Sequence, residues 1–281
     1  MAGPKTSTGV PLYSGWFWDA GIWDPPAAGF SLGFYAWNVA FAGPPGFNSA
    51  ANLTLGATAV PAVFTTPPAL LPVVSTTDSL ESFMFNYNFD TANQKIFGTA
   101  PGYPLSAMDF MTGTPFGPSP NLLPSKAHGG KLIIYSAVND GIFSGVDIVD
   151  YYNQVNLVSR GAPDFARLFM IPNMTHCGGG PATNNFNNTM FTAITDWVEN
   201  AVAPSQIVAA NTNTTSPFPS GGLFDPRVAQ NFPTGGTRPI CSYPQQTRYK
   251  GTGSTADAAN FKCVTPPGAL RLFELEPWAG P

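Results

Sequence analysis

Two short apolar runs, KLIIYSAV (131–138) and FARLFMIP (165–172), stand on either side of a segment with helical periodicity, and this alternation leaves few folds open. A brief continuous apolar run is what a strand covered on both faces requires. Between the runs, GVDIVDYYNQVNLVS (145–159) places Val146, Val149, Tyr152 and Val155 at a three-to-four spacing. Beyond the second run, NNTMFTAITDWVENAV (187–202) puts Met190, Ile194, Trp197 and Val198 on one helical face, with Pro204 just past its end. Strand, helix, strand, helix predicts an α/β fold with a parallel sheet and right-handed crossovers.

The rest of the chain reads differently. Residues 1–125 carry Pro/Gly punctuation, scattered aromatics (YSGWFWDAGIWDPP, LGFYAWNVAFAG) and weak periodicity. They predict irregular loops with a few short helices, such as 77–89, with Thr77 or Asp78 as cap. Residues 112–130 read as a proline-rich connection, and 205–281 as mostly loop, holding two of the three cysteines. The expected division is 1–125 and 126–281, without an internal repeat.

Charged residues make up only 10% of the chain, against roughly 25% in an average soluble domain. With 30 prolines, 29 glycines and 13% aromatics, the composition is that of a secreted protein. Four Asn-x-Ser/Thr sequons, at Asn52, Asn173, Asn187 and Asn213, are compatible with glycosylation. A net charge of −4 without a basic stripe argues against a nucleic-acid partner. No apolar run reaches the length of a membrane helix, and MAGPKTSTG lacks the hydrophobic region of a signal peptide.

In open parallel sheets, chemistry collects where strands end at their carboxyl edge. The first run ends at VNDG, with Asp140; the second ends at NMTHCGGG, with His176, one of two histidines in the chain. A carboxylate that accepts the Nδ1–H of an imidazole orients the ring, and the other ring nitrogen can then act as general base. The pattern alone is met more often by a turn-forming aspartate and an ordinary loop histidine.

The string GGKLIIYSAVND, DYYNQV, FARLFMIPNMTHCGGG, AITDWVENAVAPSQIVA, RPICSYPQQTRYKGTGSTADAANFKC resembles the carboxyl half of the tannase and feruloyl esterase family, over roughly 129–263. Upstream, GPKTSTGVPLYSGWFWDAGI is similar to a segment of the family's lid. The resemblance implies part of an α/β-hydrolase: the carboxyl-terminal part of the parallel sheet with flanking helices, plus part of a loop-rich lid domain over 1–125. It implies a Ser-His-Asp triad that hydrolyses galloyl, feruloyl or related aromatic acid esters. Asp140 matches the triad acid and His176 the base, although Asn139 before the acid departs from the family's usual residue.

The family's serine follows a cysteine that is disulfide-bonded to the one beside the catalytic histidine. Here Cys177 is the histidine-side cysteine, and no cysteine precedes it. The family's calcium loop, Asp-rich and flanked by cysteines, is not seen either. The expectation is therefore a chain that starts inside the lid, after both features, with no cofactor of its own and the missing amino-terminal half as its partner. Taken alone it should have no more than trace esterase activity. GFSLG (29–33) fits G-x-S-x-G, and Ser31, Asp140, His176 follow α/β-hydrolase order. The prolines of WDPPAA ahead of it exclude a central strand, however, and Ser31 is read as a loop serine.

Cys241 and Cys263 are the expected disulfide in a secreted chain of three cysteines, and the family's tail pattern agrees. Two histidines and dispersed cysteines do not make a metal site. His128 precedes the first strand and reads as a solvated loop residue at the edge opposite the candidate site. Trp16, Trp18 and Trp37 are candidates for a pocket that stacks a phenolic acyl group, or for a small core of the lid itself. The alternative to an enzyme is a non-catalytic remnant that binds aromatic or polyphenolic ligands.

Overall fold

A computed structural model describes residues 3–18, 38, 51–69, 77–112, 118–174, 176, 186–211 and 235–267. Among the described residues, the amino-terminal part holds short helices: α1 (Ala51–Ala62), α2 (Thr77–Asn86), α3 (Phe89–Phe97), α4 (Ala107–Thr112) and α5 (Leu123–Ala127). The helix expected over 77–89 is in fact two. Asn88 stops the first and caps the second, its side chain accepting the amide protons of Asp90 at 2.9 Å and Thr91 at 3.3 Å. Thr77 and Asp78 lie within α2 rather than ahead of it. The proline-rich connection contains α5, with Pro124 in its first turn, where a missing N–H costs nothing.

The predicted strands and helices follow, within a residue or two. Leu132–Ala137 forms β1, Gly145–Ser159 forms α6, Ala166–Ile171 forms β2 and Phe186–Asn200 forms α7. β1 and β2 pair in parallel, Leu132 opposite Ala166 through Ala137 opposite Ile171. Their neighbours are antiparallel: β3 (Gln206–Ala210) with β4 (Thr237–Cys241), and β5 (Gln246–Tyr249) with β6 (Phe261–Val264). An isolated bridge from Phe169 to Ser242 joins the β1–β2 pair to the end of β4. The region read as mostly loop thus contributes four strands.

β2 explains why a run apolar at all but Arg167 is needed. Phe169 and Ile171 point into one core with Phe186 of α7 and Ile207, Ala209 and Ile240 of β3 and β4. Ala166 and Leu168 point into the other, with Val149, Tyr152 and Val155 of α6. Each fully covered Leu, Ile or Phe stabilises the fold by roughly 1.5–3 kcal/mol relative to exposure. On α7, Trp197 is buried and Met190 packs on the first core, whereas Val198 is 63% exposed. The apolar face therefore runs through Phe186, Met190, Ala193 and Trp197, and the expected place of Val198 on it is corrected. One step beyond Trp197 turns a helical residue by about 100°.

Candidate active site

Parallel pairing brings the carboxyl ends of β1 and β2 to the same edge, and backbone hydrogen bonds continue past both ends. The Val138 amide donates to the Ile171 carbonyl at 3.0 Å, and the Asn139 amide to the Met174 carbonyl at 3.1 Å. The two chains thus leave the sheet side by side, and the next residues on each are Asp140 and, two beyond Met174, His176. Asp140 Oδ1 accepts the amide protons of Ile142 at 2.8 Å and Phe143 at 3.0 Å, an Asx-type turn that fixes the carboxylate plane. Its Oδ2 lies 3.0 Å from His176 Nδ1.

This is a charge-assisted contact in a partly dry setting: the two side chains are 10% and 21% exposed. An imidazole whose Nδ1–H is given to a carboxylate is held in one tautomer and one orientation. Phe143 stands beside it, its ring centroid 5.4 Å from that of His176, and is 61% exposed. Next in sequence, Ser144 caps α6 by accepting the Val146 amide proton at 3.0 Å. Sequence reading missed Phe143 and Ser144; the signal for the second was the Ser-Gly-x-Asp start of the helix.

Of the other candidates, Trp16 is half-buried with its ring 5.5 Å from that of Tyr13, and Trp18 is 78% exposed. Trp37, Ser31 and Cys177 lie outside the described residues. Cys241 and Cys263 form a disulfide with Cα atoms 5.6 Å apart. His128 is exposed at the end of α5, ahead of β1. Among the described residues, no group of three His, Cys, Asp or Glu could hold a metal ion, and no helix is long and apolar enough to cross a membrane. A cavity of about 410 Å³ opens between the end of α1 and the start of α4, lined by Val63, Thr66, Tyr103, Leu105 and Phe110 among others. Neither Asp140 nor His176 lines it.

Comparison with known proteins identifies the family. Residues 31–264 match the family model described as "Tannase and feruloyl esterase". The chain is 36% identical over 272 residues to the mono(2-hydroxyethyl) terephthalate hydrolase of Piscinibacter sakaiensis, a match that spans 95% of this chain and 40% of that protein. It is 31% identical over 160 residues to a probable feruloyl esterase B-1 of Aspergillus oryzae, covering 51% of this chain and 26% of the relative. Among solved structures it is similar to the tannin acyl hydrolase from Aspergillus niger, with a TM-score of 0.54 at 16% identity, over 100% of this chain and 43% of that one. Feruloyl esterase B from Aspergillus oryzae gives 0.50 at 20% identity, over 94% and 44%. At these identities the structural likeness is one of fold. The chain spans about two fifths or less of the curated relatives it matches.

Proposed function

The chain belongs to the tannase and feruloyl esterase family, a family of ester hydrolases, and on that premise we propose that it supplies the acid and base of a serine-type carboxylic-ester hydrolase. The observation that carries the reading is the 3.0 Å contact between Asp140 Oδ2 and His176 Nδ1 at the carboxyl edge of the parallel strands. In this reading Asp140 fixes the imidazole tautomer and stabilises the imidazolium that forms during the reaction. With Nδ1 committed to the carboxylate, Nε2 takes the proton of a serine hydroxyl as that oxygen attacks the ester carbonyl. His176 then returns the proton to the departing alcohol oxygen, leaving an acyl-serine, and repeats the cycle with water.

The serine lies upstream of residue 1 in this reading, with the backbone amides that hold the oxyanion beside it. The histidine-side cysteine, Cys177, pairs with a cysteine next to that serine. The substrates are esters of aromatic acids; the terephthalate and feruloyl esters and the tannin in the names of relatives, with galloyl esters, are the first to try. The disulfide and the low charge content support a secreted parent protein. The test is hydrolysis of such esters by the full-length polypeptide and by its Asp140→Asn and His176→Ala variants. Loss in both variants supports the relay. Retained hydrolysis rejects it, and ligand binding with no hydrolysis in any form favours a non-catalytic aromatic-binding protein.

A further inference from the structure

The loop that carries Asp140 is fastened from outside the sheet by a segment near the amino terminus. The Ser144 amide donates to the Tyr13 hydroxyl at 3.1 Å, between residues 131 positions apart. The Ser144 hydroxyl donates to the Gly15 carbonyl while it accepts the Val146 amide proton. Asn38 reaches the same loop, its side-chain amide donating to the Gly141 carbonyl at 3.0 Å. The ring of Phe17 closes over Gly145 so tightly that a Cβ there would stand 3.3 Å from it and 2.9 Å from the Met170 methyl. Ser144 is 1% exposed, so its own side of these contacts is shielded from water.

The phenol is suited to this position. Burial pushes Tyr13 up to about 12; the Ser144 amide opposes this, and the carboxylates of Asp147 and Asp140 add to it, Asp147 also through a side-chain hydrogen bond. Tyr13 therefore stays a neutral hydroxyl, able to accept the loop's amide proton. Within the loop, the amides of Ile142 and Phe143 are spent on Oδ1. Oδ2 is aimed at the imidazole only while the loop keeps its place.

We propose that Tyr13 and Ser144 are positioning residues for the Asp140–His176 pair, locking the acid-bearing loop onto the aromatic segment 13–17. The inference rests on the reading of Asp140 and His176 as acid and base, and the two residues act through Asp140. Displacing a reacting group by about 1 Å can cost on the order of a hundredfold in rate, so a loosened loop should appear in turnover before it appears in substrate binding.

Tyr13→Phe and Ser144→Ala keep the buried shape and remove only the hydroxyls. In the full-length enzyme, each should lower kcat by about ten- to hundredfold. KM should stay within about twofold, as for a contact that matters mainly in the transition state. The Nδ1–H proton resonance of His176, read by NMR, should broaden or move in both variants. Unchanged kcat and resonance in both, with Asp140→Asn still inactive, would overturn the positioning role and leave the relay standing. A loss of kcat that vanishes on correction for the folded fraction would overturn it too. Full activity in Asp140→Asn would overturn the relay itself, and this inference with it.

Discussion

At residue scale, the account turns on how Asp140 divides its two oxygens. One is held by two backbone amides and the other meets an imidazole, so the carboxylate cannot swing away without breaking bonds within its own turn. Asp140→Asn preserves shape but offers an amide where the ring needs an anionic acceptor. In the full-length enzyme it should lower kcat on the order of 10⁴-fold with the fold intact, measured by steady-state kinetics and circular dichroism. The positions of both groups were legible in the sequence, because a turn-forming Asp and a loop His each follow an apolar run, whereas their pairing was expected from the family resemblance. What was not legible is the grip of Tyr13 and Asn38 on the loop, since contacts across 131 and 103 positions leave no local pattern.

At the scale of elements, β2 carries most of the packing. It serves two cores at once through alternate residues, and Phe169 is 0% exposed against the similarly buried Phe186. Phe169→Ala should cost about 3–5 kcal/mol, read from denaturant midpoints, because the rings around it cannot collapse into the space. The N-cap of α6 should be worth about 1 kcal/mol, so Ser144→Ala should shift the same midpoint slightly while its effect on turnover is large. β1, β2, α6 and α7 were visible in the sequence because continuous apolar runs and three-to-four spacing are strong signals. β3 to β6 were not. They are only four or five residues long, β4 contains Pro239, β5 opens with three polar residues in a row, and β6 is too short to show a period, so each reads as loop on its own. Their strand character comes from pairing, which a single segment does not display.

For the whole molecule, covalent and titratable groups set the limits of stability. The Cys241–Cys263 disulfide ties the end of β4 to β6. Replacing both cysteines by alanine should cost about 3 kcal/mol in the chain-entropy model, again by denaturant titration. Burial raises Tyr13 and Tyr152 from 10.0 to about 12, with Arg167 opposing the shift for Tyr152, and burial raises Tyr243 in the same direction. A phenol raised on folding holds its proton more tightly in the native state. Its contribution is therefore complete below the unfolded value near pH 10 and is lost as pH climbs through the folded value. Denaturation midpoints should be flat up to about pH 10 and fall above it, together with tyrosinate absorbance. A curve that stayed flat through pH 12 would contradict the burial of these rings.

The relay remains the claim on which the rest depends, and covalent trapping reads it most directly. The full-length protein would be treated with a fluorophosphonate, which reports an activated serine, and the adduct mapped by mass spectrometry. The account predicts an adduct on a serine outside residues 1–281, formed orders of magnitude more slowly after His176→Ala. An adduct on Ser31, or labelling that proceeds equally well without the imidazole of His176, would contradict it.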